Sequence, residues 1–202
     1  MFAIVEAAGW PIWFLIFASI IAVGLITERL VYLRSSRIAP PALLDEVING
    51  LKKHGVTEEM LIMLANSSPL GRIFAAGLKN IKSSPEVMKE SIEEAGRATT
   101  HELEHFLTTL GTIASISPLL GLFGTVVGMI EIFGAQTAAG SSPAILAHGI
   151  SIALYNTAFG LIVAIPSMIF YRHFRAKVDS LTVEMEQQAI KLIEIMHGQR
   201  RS

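Results

Sequence analysis

The feature that most constrains this chain is the spacing of its charges. No charged residue occurs from Ala7 to Thr27 or from Phe106 to Ile130, and the run from Ile132 to Tyr171 is broken only by His148, which is neutral at pH 7. About 20 consecutive apolar residues suffice for a helix to cross a bilayer. The first two runs supply one span each. The third is longer than one span, and it opens on "GAQTAAGSSPA" (Gly134 to Ala144), whose Gly, Ser and Pro content is that of a turn. The expected fold is therefore all-α, an integral membrane protein with three transmembrane helices. Hydrophobic residues make up 51% of the chain and charged residues 16%, a balance that argues for a membrane protein over a single soluble domain.

Orientation follows from the basic residues. Ten of the sixteen Lys and Arg lie between the first and second uncharged runs, from Arg29 to Arg97, and the remaining six follow Tyr171. Positive charge collects on the cytoplasmic side. The expected organisation is an N-terminal periplasmic tail and first transmembrane helix (1–34), a cytoplasmic helical loop (35–105), a second transmembrane helix (106–133), a periplasmic loop (134–144), a third transmembrane helix (145–171) and a cytoplasmic C-terminal helix (172–202). The first span lacks the basic n-region of a cleaved signal and carries Glu6 instead, so it is expected to remain in the mature protein. Absence of cysteine agrees with a reduced cytoplasmic domain.

Between the first two spans, Pro41 to Gly55 and Thr57 to Ser68 read as helices bounded by breakers. "SSPE" then predicts a long helix, with Ser84 capping and Pro85 at the first helical position, that runs into the second span and tolerates Pro118. Beyond Tyr171 nothing breaks the helix before Gly198. Along it Val178, Leu181, Met185, Leu192 and Ile195 share one stripe, with Gln188 as its polar member. Two readings of that stripe stand: packing against other subunits, or burial against the chain's own loop helices.

Three groups of residues bear on chemistry. "HELEH" (His101 to His105) fits the H-E-x-x-H zinc pattern, but a catalytic zinc needs a further ligand. Glu131 and His148, the candidates in the rest of the membrane region, lie about 30 Å away across the bilayer, so a solvated helix face is the preferred reading. In the second span Gly111, Pro118, Gly121, Thr125 and Gly128 fall on one helix side, with Gly124 beside them. In the third, Gly149, Ala153, Asn156, Gly160, Ala164 and Ser167 form a second small-residue stripe with Thr157 at its edge. Small residues let membrane helices approach closely, and polar groups inside a membrane are functional candidates by default. These faces predict either a narrow polar pathway or plain helix packing. No Asp, Glu, Lys or Arg lies in the central part of any span, so a proton path would need a carboxylate from a partner.

"SPLLGLFGTVVGMIEIF" (Ser117 to Phe133), "GISIALYNTAFGLIVAIP" (Gly149 to Pro166), and "GWPIW" with "ERL" at the two ends of the first span closely resemble the MotA/TolQ/ExbB proton-channel family, most like its ExbB branch. The resemblance implies a homo-oligomeric ring, a pentamer, enclosing an ExbD-like or TolR-like single-span partner with a membrane aspartate. That assembly would couple the proton motive force to a TonB-like or TolA-like periplasm-spanning protein in the bacterial inner membrane. It implies Thr125 and Thr157 as pore-facing hydroxyls with Asn156 nearby, Gly121, Gly124, Gly128, Gly160, Pro118 and Pro166 as helix-packing residues, and Glu28 as an acidic residue at the membrane boundary. Many relatives carry a glutamate where this chain has Ile152. Neither enzymatic activity, a metal or other cofactor, nor nucleic-acid binding is expected. A TolQ-like subunit of the Tol-Pal system and a non-conducting membrane scaffold are the alternatives.

Overall fold

A computed structural model of the chain describes residues 9–139 and 143–196. All regular structure among these is helical: α1 (Ile12–Tyr32), α2 (Ser35–Ile38), α3 (Leu43–His54), α4 (Glu58–Ser67), α5 (Pro69–Lys79), α6 (Pro85–Ala139) and α7 (Pro143–Met196). Three of these helices, α1, α6 and α7, are long and apolar enough to cross a membrane. The chain divides into two units, one formed by 1–28 and 106–173, the other by 29–105 and 174–202.

The first unit holds the apolar stretches. Pro11, which has no N–H to lose, sits at the start of α1, where the Trp10 and Pro11 carbonyls accept from Trp13 and Phe14. Ile12, Leu15 and Ala22 are buried, whereas Trp13, Phe14, Phe17, Ile20 and Val23 are exposed. A helix apolar on its outer face as well as its inner one suits a lipid environment. Trp10 packs edge-on against Phe14 and Phe123, at 5.9 and 6.0 Å between ring centroids, and so ties the start of α1 to α6.

Helices α6 and α7 meet along a seam of small residues. A Cβ built on Gly121 would lie 2.6 Å from the Asn156 carbonyl oxygen, and one on Gly160 would lie 2.6 Å from that of Ser117. Gly124 receives the Asn156 side chain, with Cγ 2.7 Å from a built Cβ, and Gly128 faces Ala153 at 3.3 Å. Only residues without a side chain allow backbones this close. Gly149, Ala153, Asn156 and Gly160 of the α7 stripe expected from spacing meet α6, and Ala164 and Ser167 of the same stripe are buried. Both helices continue through their prolines, Pro118 and Pro166. The neighbouring Ser117 and Ser167 bond back to the Ile113 and Val163 carbonyls at 2.7 Å, which disposes of two hydroxyls buried in apolar surroundings. Pro166 itself is exposed in the single chain, whereas Gly160, Ala164 and Ser167 are buried.

Much of the segment 134–144 expected as a periplasmic loop is helical. Helix α6 runs on to Ala139 and α7 begins at Pro143, leaving residues 140–142 outside those described. Alanine favours helix at the end of α6, and Pro143 takes the first helical position of α7, where its missing N–H is harmless. The N-terminal tail before Gly9 and the chain beyond Met196 also lie outside the described residues.

In the second unit, α5 is a helix that the breaker pattern did not separate. Ser68 ends α4 and caps α5, its hydroxyl accepting from Gly71 N–H at 3.0 Å, with Pro69 following at the first helical position. Leu70, Ile73, Phe74 and Leu78 from α5 are buried, and Gly77 lets α5 approach Ile92 of α6. Val178, Leu181, Met185 and Leu192 of α7 are buried within this same chain, which favours the own-chain reading of that stripe. Arg29 is 3% exposed. Its Nη1 donates to the Leu103 carbonyl at 3.1 Å and its guanidinium lies over the Tyr32 ring.

Two measurements test this packing. Gly121→Ala should lower the thermal midpoint in detergent or lipid by the equivalent of about 1–3 kcal/mol of overpacking. Gly24→Ala, where a Cβ meets nothing within 4 Å, should not. An unchanged midpoint in Gly121→Ala means the helices are not in this contact. In the second unit the Arg72 hydrogen bond, at 2.7 Å, holds the Glu102 carboxyl below the usual carboxylate range against an opposing effect of burial. A carboxyl lowered on folding stabilises above its unfolded pKa of about 4.3, and that stabilisation is lost as pH falls through the folded value. Both side chains are substantially exposed, so the effect is below about 1 kcal/mol. Arg72→Ala should therefore lose less thermal stability between pH 7 and pH 2 than the wild type; equal losses would deny the pair this role.

Candidate functional site

The close approach at Gly121 and Gly160 brings two threonines together. Thr125 Oγ1 lies 2.6 Å from Thr157 Oγ1, a short hydroxyl–hydroxyl hydrogen bond between α6 and α7. Thr125 Oγ1 is also 3.1 Å from the carbonyl of Gly121, one turn back on its own helix, and 3.1 Å from that of Ala153 across the seam. Both threonines are partly exposed within the chain. They form a small polar patch in a unit whose exposed surface is otherwise rich in side chains such as Leu122, Val126, Leu154 and Leu161. Hydroxyls are the largest polarity this patch contains, and it carries no charge of its own.

Of the residues expected to serve the site, Thr125 and Thr157 are joined directly. Asn156 is not on the open side with them: it is 1% exposed and its side chain lies against Gly124. Within the single chain it sits in the seam between α6 and α7. Gly121, Gly124, Gly128 and Gly160 surround the hydroxyl pair on the packed side, and Pro118 is partly exposed. Glu28, at the end of the first unit, is exposed. Ile152 and His148 have side chains outside those described.

What spacing could not reveal is the Ala153 carbonyl, since a main-chain acceptor leaves no mark in a side-chain pattern. Nor did it reveal Arg29. Its signal, an Arg beside Glu28 just past an uncharged run, also fits an ordinary boundary charge.

"HELEH" is occupied by other partners. Glu102 bonds Arg72 and accepts from the Tyr32 hydroxyl at 3.4 Å, Glu104 pairs with Arg175 at 3.3 Å, and His101 and His105 are exposed. Among the described residues no group of three His, Asp or Glu is placed to hold a metal. Each acidic member of the motif is satisfied by an arginine, as on a solvated helix face.

Residues 65–187 match the model of the MotA/TolQ/ExbB proton channel family. The chain is 32% identical over 192 residues to a putative biopolymer transport protein ExbB homolog of Methanothermobacter thermautotrophicus, covering 94% of this chain and 66% of that relative. It is 32% identical to a putative biopolymer transport protein ExbB-like 3 of Synechocystis, covering 78% and 77% of the two chains. A Tol-Pal system protein TolQ of Pseudomonas aeruginosa is 33% identical, with 71% and 69% covered. The matched family region takes in α6 and both threonines of the hydroxyl pair, and the chain belongs to the MotA/TolQ/ExbB proton channel family.

Proposed function

We propose that this chain is the ring-forming subunit of an inner-membrane proton channel and motor. It couples the proton motive force, with an ExbD-like or TolR-like single-span partner, to a TonB-like or TolA-like protein that spans the periplasm. The observation that carries this reading is the Thr125–Thr157 hydroxyl pair, set across a glycine seam in spans with no charged residue at their centres. A proton path needs a titratable group or a continuous water chain. Here the protein supplies hydroxyls, and the partner supplies the membrane carboxylate that accepts and releases the proton.

The exposed apolar side chains of the first unit support assembly. Phe17, Leu119, Ile130, Ile162 and Ile169 are each more than half exposed in the single chain and need either lipid or neighbouring copies to cover them. A five-membered ring around the partner, with the N-terminus periplasmic and the C-terminus cytoplasmic, uses both kinds of cover. Similarity is nearly equal to an ExbB homolog and to a TolQ protein, at 32% and 33% identity, so the TolQ-like subunit of a Tol-Pal system is the second reading. A neighbouring gene for TonB or TolA distinguishes the two branches.

In liposomes containing this protein and its single-span partner, Thr125→Val and Thr157→Val should each reduce proton flux at least tenfold, roughly the effect of losing one hydrogen bond of 1.4 kcal/mol or more in the conducting state. Thr125→Ser, which keeps the hydroxyl, should retain most of it. Wild-type flux in both valine variants would remove the threonines from the pathway, and flux that does not depend on the partner would remove the partner's carboxylate. Assembly without any flux is the outcome for a non-conducting scaffold.

A further inference from the structure

Two neighbouring arginines of the second unit are left over when the others have been paired within the chain. Arg29 donates to the Leu103 carbonyl, Arg72 pairs with Glu102, Arg97 with Glu93, and Arg175 with Glu104 and Asp179. Arg34 and Arg37 are exposed, and neither side chain has a hydrogen-bond or ion-pair partner among the described residues.

Their place in the chain gives this meaning. The uncharged run of α1 ends at Thr27, and about 5 Å further along the helix Leu30 and Val31 are 49% and 44% exposed. Arg34 and Arg37 follow directly. Leu33, Ile38 and Ala39 are buried on either side of them, which pins the backbone while Arg34, Ser36 and Arg37 stay outside. The Arg37 N–H donates to the Arg34 carbonyl at 2.9 Å and closes a turn, a geometry that keeps the two Cα atoms within about 7 Å. Water suits the arginines but not Leu30 and Val31, and hydrocarbon suits the reverse. Only the boundary between the two suits all four.

An exposed apolar pair followed by an exposed basic pair matches the order of a phospholipid, acyl chain and then phosphate. A guanidinium offers two parallel N–H donors to phosphate oxygens. Glu184 is the carboxylate beside this turn, where it accepts from Ser35 Oγ at 3.4 Å and pairs with neither arginine. Two positive charges therefore stand against one negative, and the excess favours an anionic headgroup over a zwitterionic one. We infer that Leu30, Val31, Arg34 and Arg37 form a site for the phosphate and upper acyl chain of an anionic phospholipid at the basic end of the first span. The site needs only that α1 crosses a membrane and is independent of the proton-pathway reading. A free phosphate shares the headgroup chemistry but has no use for Leu30 and Val31.

The test titrates phosphatidylglycerol and phosphatidylcholine separately onto the full-length protein in detergent micelles and reads each binding step by native mass spectrometry. The quantity compared is the ratio of the two affinities within each variant, so that a general loss of lipid binding cancels. The wild type should prefer phosphatidylglycerol. Arg34→Gln and Arg37→Gln should each reduce the preference roughly fivefold, the contribution of one basic residue near an anionic surface, and the double variant should abolish it. Leu30→Ser combined with Val31→Ser should weaken phosphatidylglycerol binding, and excess inorganic phosphate should fail to displace the lipid from the wild type. No preference in the wild type, or an unchanged one in the double arginine variant, would overturn the site. So would an equal loss in Lys52→Gln combined with Lys53→Gln, whose exposed side chains at the end of α3 have no partner among the described residues. Displacement by inorganic phosphate, with no effect of the serine pair, would assign the arginines to a free anion and rule out the lipid.

Discussion

The contact on which the first unit depends is the backbone-to-backbone approach of α6 and α7 at Gly121 and Gly160. Membrane helices gain little from burying apolar side chains against each other, because lipid is as apolar as the protein, so close van der Waals packing and interhelical hydrogen bonds carry the association. A side chain on Gly121 would occupy the space of the Asn156 carbonyl, and one on Gly160 that of the Ser117 carbonyl. Separating the helices to make room would take Thr125 Oγ1 out of reach of both the Ala153 carbonyl and Thr157. Packing and site are one arrangement: the glycines set the distance and the threonines use it.

That arrangement was partly legible from residue spacing. The small residues of each helix recur at helical period, and the structure places Gly121, Gly124 and Gly128 against Ala153, Asn156 and Gly160. Thr125 and Thr157 sit at the edges of these stripes and so remain partly exposed while still touching. Asn156 was harder to place. A polar residue in a membrane helix satisfies the same rule whether it faces a wet cavity or a neighbouring helix, and only the partner face, here Gly124, decides between them. Between α6 and α7, Gly, Ser and Pro signal a break without saying where it falls. Pro143 begins a helix as readily as it ends one.

In the second unit the informative groups are charges that spacing alone does not pair. Glu102 and Glu104 share a motif with two histidines, yet Arg72 and Arg175, far away in sequence, are what they meet. A short motif describes one helical turn, while the electrostatics of a carboxylate are set by whichever helix packs over it. The same holds for Arg29. It is buried, its charge lies against the Tyr32 ring, and it donates to a carbonyl on α6 that already belongs to a helix. Guanidinium groups tolerate such places because their charge is spread and they have several donors to distribute.

The choice of hydroxyls over a fixed charge also follows from energetics. An isolated carboxylate in the hydrocarbon region is costly, and a subunit that carried one would depend on a partner for its own stability. Thr125 and Thr157 avoid this. The two hydroxyls bond each other, and Thr125 Oγ1 also lies within bonding distance of two main-chain carbonyls of the same chain. Under the proposed function the costly charge resides on the partner, where protonation can neutralise it, and the ring subunit offers a surface that responds to that change without titrating itself.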